Sequence, residues 1–215
     1  MNVNVKFNGG PGTSSVFLHI GAFGPKRVVV PSDARQAGNP PFPVEDNERT
    51  LLDVADVVFI DPIGTGYSRP LGTAKATDFW GVRDDARVIT EFVRIWLTDH
   101  GRWNAPKYIL GESYGTMRAV QMVDEFQRSL IGVMPSGVIL LSTVLDLQSL
   151  IADPGNDDPF VSYLPTYAAT ALFHGKINPR PQDPEQFLEE ARTFALSEYS
   201  VPLLKGSPLG VAGRR

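Results

Sequence analysis

The sequence predicts an α/β fold: a mostly parallel sheet flanked by helices. Three observations carry this. Short apolar runs at Val57–Asp61, Lys107–Leu110 and Gly137–Thr143 have the length and composition of buried strands. Two segments of helical periodicity alternate with them. The resulting order β-α-β-α-β from residue 57 to 143 argues a parallel sheet covered by helices on its faces.

In chain order, Val3–Phe7 alternates and ends at Asn8-Gly9-Gly10-Pro11-Gly12, which reads as a short strand entering a tight glycine loop. Arg27–Val30 reads as a second short strand. Asn39-Pro40-Pro41-Phe42-Pro43 is a surface loop, because successive prolines remove donors and fix φ. Val57–Asp61 is a buried strand opening into Gly64-Thr65-Gly66. With Thr77 or Asp78 as N-cap, the apolar positions Val82, Ala86, Ile89, Val93, Trp96 and Leu97 mark an amphipathic helix that stops at Gly101. Lys107–Leu110 then leads into Gly111-Glu112-Ser113-Tyr114-Gly115, and Ala119, Met122, Val123, Phe126 and Leu130 mark a second helix. Gly137–Thr143 completes the β-α-β-α-β order.

Beyond residue 150 the pattern changes. Asp153–Pro159 is a polar loop, and Tyr163–Phe173 and Pro184–Tyr199 read as helices with no strand between them. The domain reading is therefore a sheet-containing core over 1–149, a helical cap-like insertion over 150–205 and a disordered tail over 206–215.

Composition narrows the function. The 215 residues are 42% apolar and 20% charged, ordinary for a packed chain, and the net charge of −4 offers no footprint for nucleic acid or an anionic membrane. Cysteine is absent, so thiolate nucleophiles, disulfides and cysteine-ligated metals drop out. The first residues lack the basic and apolar regions of a signal peptide, and no apolar run approaches the length of a membrane span, so the compartment stays open. The loop at Gly10 lacks the third glycine of a dinucleotide fingerprint, Pro11 removes an amide a phosphate would use, and no G-K-[ST] occurs. The acidic loop at Asp153–Asp158 lacks EF-hand spacing. Neither cofactor nor metal is expected.

Gly111-x-Ser113-x-Gly115 matches the nucleophile-elbow pattern, in which a strand turns sharply into a helix and exposes a strained serine. A buried strand before it and an amphipathic helix after it supply the required context. The elbow offers one oxyanion donor, the N–H of Tyr114, and the loop Asn8–Gly12 is placed to offer another.

Phe7–Ser15, Asp61–Ser68 and Gly111–Gly115 together resemble, in order and spacing, the serine carboxypeptidases, an α/β-hydrolase family that removes C-terminal residues from peptides. Gly101–Tyr108 and Tyr163–Ala171 resemble its bacterial members most. The resemblance implies Ser113 as the acylated nucleophile and Gly10 and Tyr114 as the oxyanion amides. It implies Asn8 and Glu112, beside Gly9, as the pair that holds the substrate's terminal carboxylate. A Glu beside a bound carboxylate must carry a proton to donate rather than repel, so activity is expected to favour acidic pH. The implied partner is a peptide with a free C-terminus.

The family's triad places its Asp and His on later strands, yet one strand is visible in the hundred or so residues after Ser113. The expectation is an incomplete α/β hydrolase without those two residues. Loss of the base typically costs on the order of 10⁶ in kcat, so little turnover is expected from these 215 residues alone. Two alternatives stay open: a small esterase using His174, the one histidine after Ser113, and a non-catalytic module that binds peptide C-termini. His19, His100 and Asp146 read as bystanders, and Asp61 as a hydrogen-bond acceptor that braces its loop.

Overall fold

The computed structural model describes residues 1–206 except 32, 34, 36, 37, 130 and 131. The chain divides into two compact units, Met1–Leu145 and Asp146–Arg215.

The first unit contains β1 (Asn2–Phe7), a helical turn α1 (Val16–Leu18) continued by a π-helical turn at His19–Phe23, β2 (Lys26–Val28), β3 (Val44–Asp46), β4 (Ala55–Phe59), α2 (Val82–Asp99), β5 (Lys107–Glu112), α3 (Tyr114–Arg128) and β6 (Gly137–Leu141). Four strands form a sheet in the order β4-β1-β5-β6, and every neighbouring pair is parallel. This is the architecture expected from the alternation of strands and helices. β2 and β3 pair separately as an antiparallel ribbon, one strand on each side of the proline-rich loop.

The alternation in β1 divides the sheet into two unlike faces. Val3, Val5 and Phe7 join Ile60 and Ile109 against Ala86, Ile89, Val93 and Leu97 of α2 and Ala119, Met122 and Phe126 of α3. Asn4 and Lys6 project from the other face, and Lys6 is fully buried, its Nζ 4.2 Å from the Phe23 ring centroid and 3.4 Å from Asn4 Oδ1. Burial holds this ammonium down to about 8.

Several boundaries differ from the sequence reading. The helix predicted to be capped by Thr77 or Asp78 begins at Val82; residues Ala76–Phe79 form a separate 3₁₀ turn, and the Asp78 carboxylate accepts from Lys75 N at 2.8 Å. β4 starts two residues earlier and ends two earlier than expected, because its register is fixed by pairing Asn2 with Ala55 through Lys6 with Phe59. That frees Asp61 to turn away from the ladder. β6 stops at Leu141 rather than Thr143, since Ser142 takes φ 51°. Gly101, at φ 62°, ends α2 as expected. Leu130, assigned to the second helix, lies outside the described residues, as do 207–215 of the expected tail.

The second unit holds α4 (Asp158–Phe173), α5 (Pro184–Phe194) and α6 (Ser200–Lys205). α4 begins five residues before the predicted Tyr163: Pro159 sits in its first turn, where the missing N–H costs nothing. Asp183 caps α5 by accepting from Glu185 N and Gln186 N. The predicted single helix Pro184–Tyr199 is instead α5 followed by a π-helical turn at Ala195–Tyr199 that leads into α6.

Candidate active site

Ser113 occupies the sharp turn between β5 and α3 with φ 56° and ψ −126°, a strained backbone for a non-glycine residue. Its neighbours make the turn possible. A Cβ on Gly111 would overlap the Gly115 carbonyl oxygen, and one on Gly115 would stand 3.0 Å from the Phe7 carbonyl oxygen. Ser113 N donates to Leu141 O at 2.9 Å, which ties the elbow to β6. The Thr116 hydroxyl lies 2.7 Å from Ser113 O and accepts from Val144 N, fixing the segment that leaves β6.

The register of β1 against β5 pairs Phe7 with Gly111, so the next step along each strand puts Asn8 beside Glu112. Asn8 Nδ2 donates to Glu112 Oε2 at 3.0 Å across 104 positions of sequence, and Asn8 Oδ1 accepts from Leu18 N. Gly9 packs on the elbow itself. Neither Gly10 nor Tyr114 uses its amide in a backbone hydrogen bond among the described residues. The strands thus gather Asn8, Gly9, Gly10, Glu112, Ser113 and Tyr114, from two separated segments, at the carboxyl ends of β1 and β5.

Asp61 braces the neighbouring loop. Its carboxylate accepts from Ser15 N at 2.8 Å and Tyr67 N at 3.3 Å, and Gly66 lies so close that a Cβ there would overlap it. The Ser15 hydroxyl donates to Ile60 O.

Sequence reasoning missed the group beneath the site. Arg118, 1% exposed, donates through Nε to Asp85 Oδ2 and through Nη1 to Asn8 O, both at 2.8 Å. Burial pushes the Asp85 carboxyl up against the opposing pull of Arg118, and burial with the Asp85 charge pushes the Tyr114 phenol up. Asp85, Tyr114 and Arg118, with Phe79, Trp80 and Pro11, line a pocket of about 480 Å³. The only signal in the sequence was a charged residue at each of two core-facing helix positions, four after Tyr114 and one before Ala86.

The remaining candidates are engaged otherwise. His19 packs against the Phe59 ring, His100 stacks on Trp96 at the end of α2, and His174 caps α4. Asp146 Oδ1 accepts from Gln148 N in a turn. Among the described residues no group of three His, Asp or Glu is placed to hold a metal, and no helix is long and apolar enough to cross a membrane.

A serine raised on an elbow between a parallel strand and a helix, at the end of a mostly parallel sheet flanked by helices, is consistent with the α/β-hydrolase fold. The sequence profile described as serine carboxypeptidase matches residues 3–131, which is more than half of the chain, and the chain belongs to that family. It is 28% identical over 175 residues to the pheromone-processing carboxypeptidase KEX1 of Yarrowia lipolytica, covering 80% of this chain and 24% of that protein. It also resembles the crystal structure of Kex1Δp, a prohormone-processing carboxypeptidase from Saccharomyces cerevisiae. That match has a TM-score of 0.54 and 17% identity and covers 90% of this chain and 44% of the other. The chain therefore spans about a quarter of the curated relative's length and less than half of the solved one's.

Proposed function

We propose that Ser113 is the nucleophile of a serine carboxypeptidase and that Asn8 and Glu112 hold the terminal carboxylate of its peptide substrate. The observation that carries this reading is the Asn8–Glu112 hydrogen bond at 3.0 Å, one residue from the strained serine. A carboxylate bound there accepts from Asn8 Nδ2 beside Glu112, so the last peptide bond of the substrate lies nearest Ser113. Exo-cleavage follows from that placement.

In the reaction Ser113 Oγ attacks the carbonyl carbon of the last peptide bond and gives up its proton to a base. The resulting oxyanion accepts from the N–H groups of Gly10 and Tyr114, each such donor being worth about 3 kcal/mol of barrier. Collapse breaks the C–N bond, the departing amine takes the proton, and water then hydrolyses the Ser113 ester. The family resemblance assigns these proton transfers to an Asp and a His on later strands. Membership of the carboxypeptidase family does not favour the esterase or the binding-module alternative.

The test is calorimetric titration, at pH 5, of N-acetyl-Phe-Leu and of its C-terminal amide into the chain and into Asn8→Ala and Glu112→Ala. Preference for the free acid, lost in both variants, is expected. Equal affinity for acid and amide in the unaltered chain overturns the carboxylate reading.

A further inference from the structure

We infer that Arg118 is a positioning residue that sets the geometry of the carboxylate clamp and of the oxyanion loop through the backbone of Asn8. The inference rests on the reading of that site given above.

A guanidinium excluded from water is costly, by several kcal/mol per ion, and a well-packed apolar pair of similar volume often serves stability as well or better. The contacts of Arg118 are directed at the site. Its Nη1 donates to the carbonyl oxygen of Asn8, the peptide unit that also carries the Gly9 nitrogen. Gly9 in turn packs on Tyr114 and Glu112, and the next amide is that of Gly10. Fixing the Asn8 carbonyl therefore fixes the Asn8–Gly9 peptide plane, next to the Asn8 side chain and one peptide before the Gly10 N–H, while the Gly9 carbonyl is held by Thr13 N at 3.3 Å.

The guanidinium is itself over-determined. Asp85 of α2 accepts from its Nε at 2.8 Å, and the rings of Phe7 and Tyr114 lie 5.1 and 5.2 Å from its central carbon. Arg118 stands four residues after Tyr114 and so shares its helix face. Gly115 lets that face approach, since a Cβ there would be only 3.2 Å from Asn8 O. One rigid fork thus joins α2, α3 and the first glycine loop. A lysine has the charge but not the two fixed donor directions.

The test compares the chain with Arg118→Met/Asp85→Leu, which removes the pair without stranding a charge, and with Arg118→Lys. Two readings are taken: the ¹⁵N–¹H resonances of the Asn8 side chain and the Gly10 and Tyr114 amides, and the affinity ratio of N-acetyl-Phe-Leu to its amide. Both variants are expected to unfold at urea concentrations close to that of the unaltered chain. Both should nevertheless displace those resonances and lower the acid-to-amide ratio about tenfold. A folded variant whose resonances coincide with those of the unaltered chain, or whose ratio is unchanged, overturns the inference. If the unaltered chain shows no preference for the acid, the clamp reading fails and the resonances alone decide whether Arg118 positions the loop. Should the double variant not fold, Arg118→Lys carries the same two readings.

Discussion

The Cα of Gly9 lies so close to Tyr114 that a Cβ at position 9 would stand 2.5 Å from the Tyr114 amide nitrogen and 2.6 Å from the Glu112 carbonyl oxygen. The first glycine loop and the elbow are therefore one packed unit. Gly9→Ala must separate them, at a cost of about 2 kcal/mol or more. A lower urea midpoint and loss of any preference for a peptide carboxylate over its amide are expected. A variant as stable and selective as the parent would show that the two segments do not pack in this way.

The backbone of Ser113 stores strain that glycine would relieve. A non-glycine residue at φ 56° and ψ −126° costs about 1–3 kcal/mol. Ser113→Gly recovers that and gives back roughly 1 kcal/mol as unfolded-chain entropy, whereas Ser113→Ala keeps the strain. The glycine variant should have the higher urea midpoint of the two. The reverse order of midpoints would mean that the elbow is unstrained.

Asp61 holds two loops by their amides, Ser15 N and Tyr67 N. Asp61→Ala leaves both donors without their acceptor and should lower stability by about 1–2 kcal/mol. Amide hydrogen exchange should speed up at Ser15 and Tyr67 while the β1 amides keep their protection. Unchanged exchange at both amides would contradict the bracing role.

Lys6 makes the stability depend on pH in the alkaline range. Its folded-state pKa of about 8 lies below the ordinary 10.5, so between those values the unfolded chain binds the proton more readily than the folded one. The cost of the buried charge is fully present below pH 8 and is relieved as pH rises toward 10.5. Lys6→Met should therefore be more stable than the parent at pH 7, by up to about 3 kcal/mol, and should lose more than half of that gain on going from pH 7 to pH 9.5. Urea midpoints at the two pH values decide it; parallel pH profiles would place the Lys6 ammonium in water.

The single observation at 3.0 Å between Asn8 and Glu112 shows how far the sequence could reach. The glycine pattern around Ser113, the strand before it and the helix after it were legible because each depends on local rules: glycine where a Cβ cannot fit, period two in a strand, period 3.6 in a helix. The resemblance to the carboxypeptidases added the pairing of Asn8 with Glu112, and the parallel register of β1 with β5 provides the contact. The core-facing helix positions of Arg118 and Asp85 signal only that each charge needs a partner, not which one, because that partner is brought to it by the folded chain.

Local order and the class of the fold were thus determined by the sequence itself: the β-α-β-α-β succession, the elbow and the loop at Asn8–Gly12. Tertiary structure alone decided that β1 lies between β4 and β5, that Lys6 is sealed beneath Phe23, and that Arg118 reaches Asn8 across 110 positions. Backbone conformation responds to neighbours a few residues away. Strand order, burial of a charge and the choice of its partner respond to groups that only folding brings together.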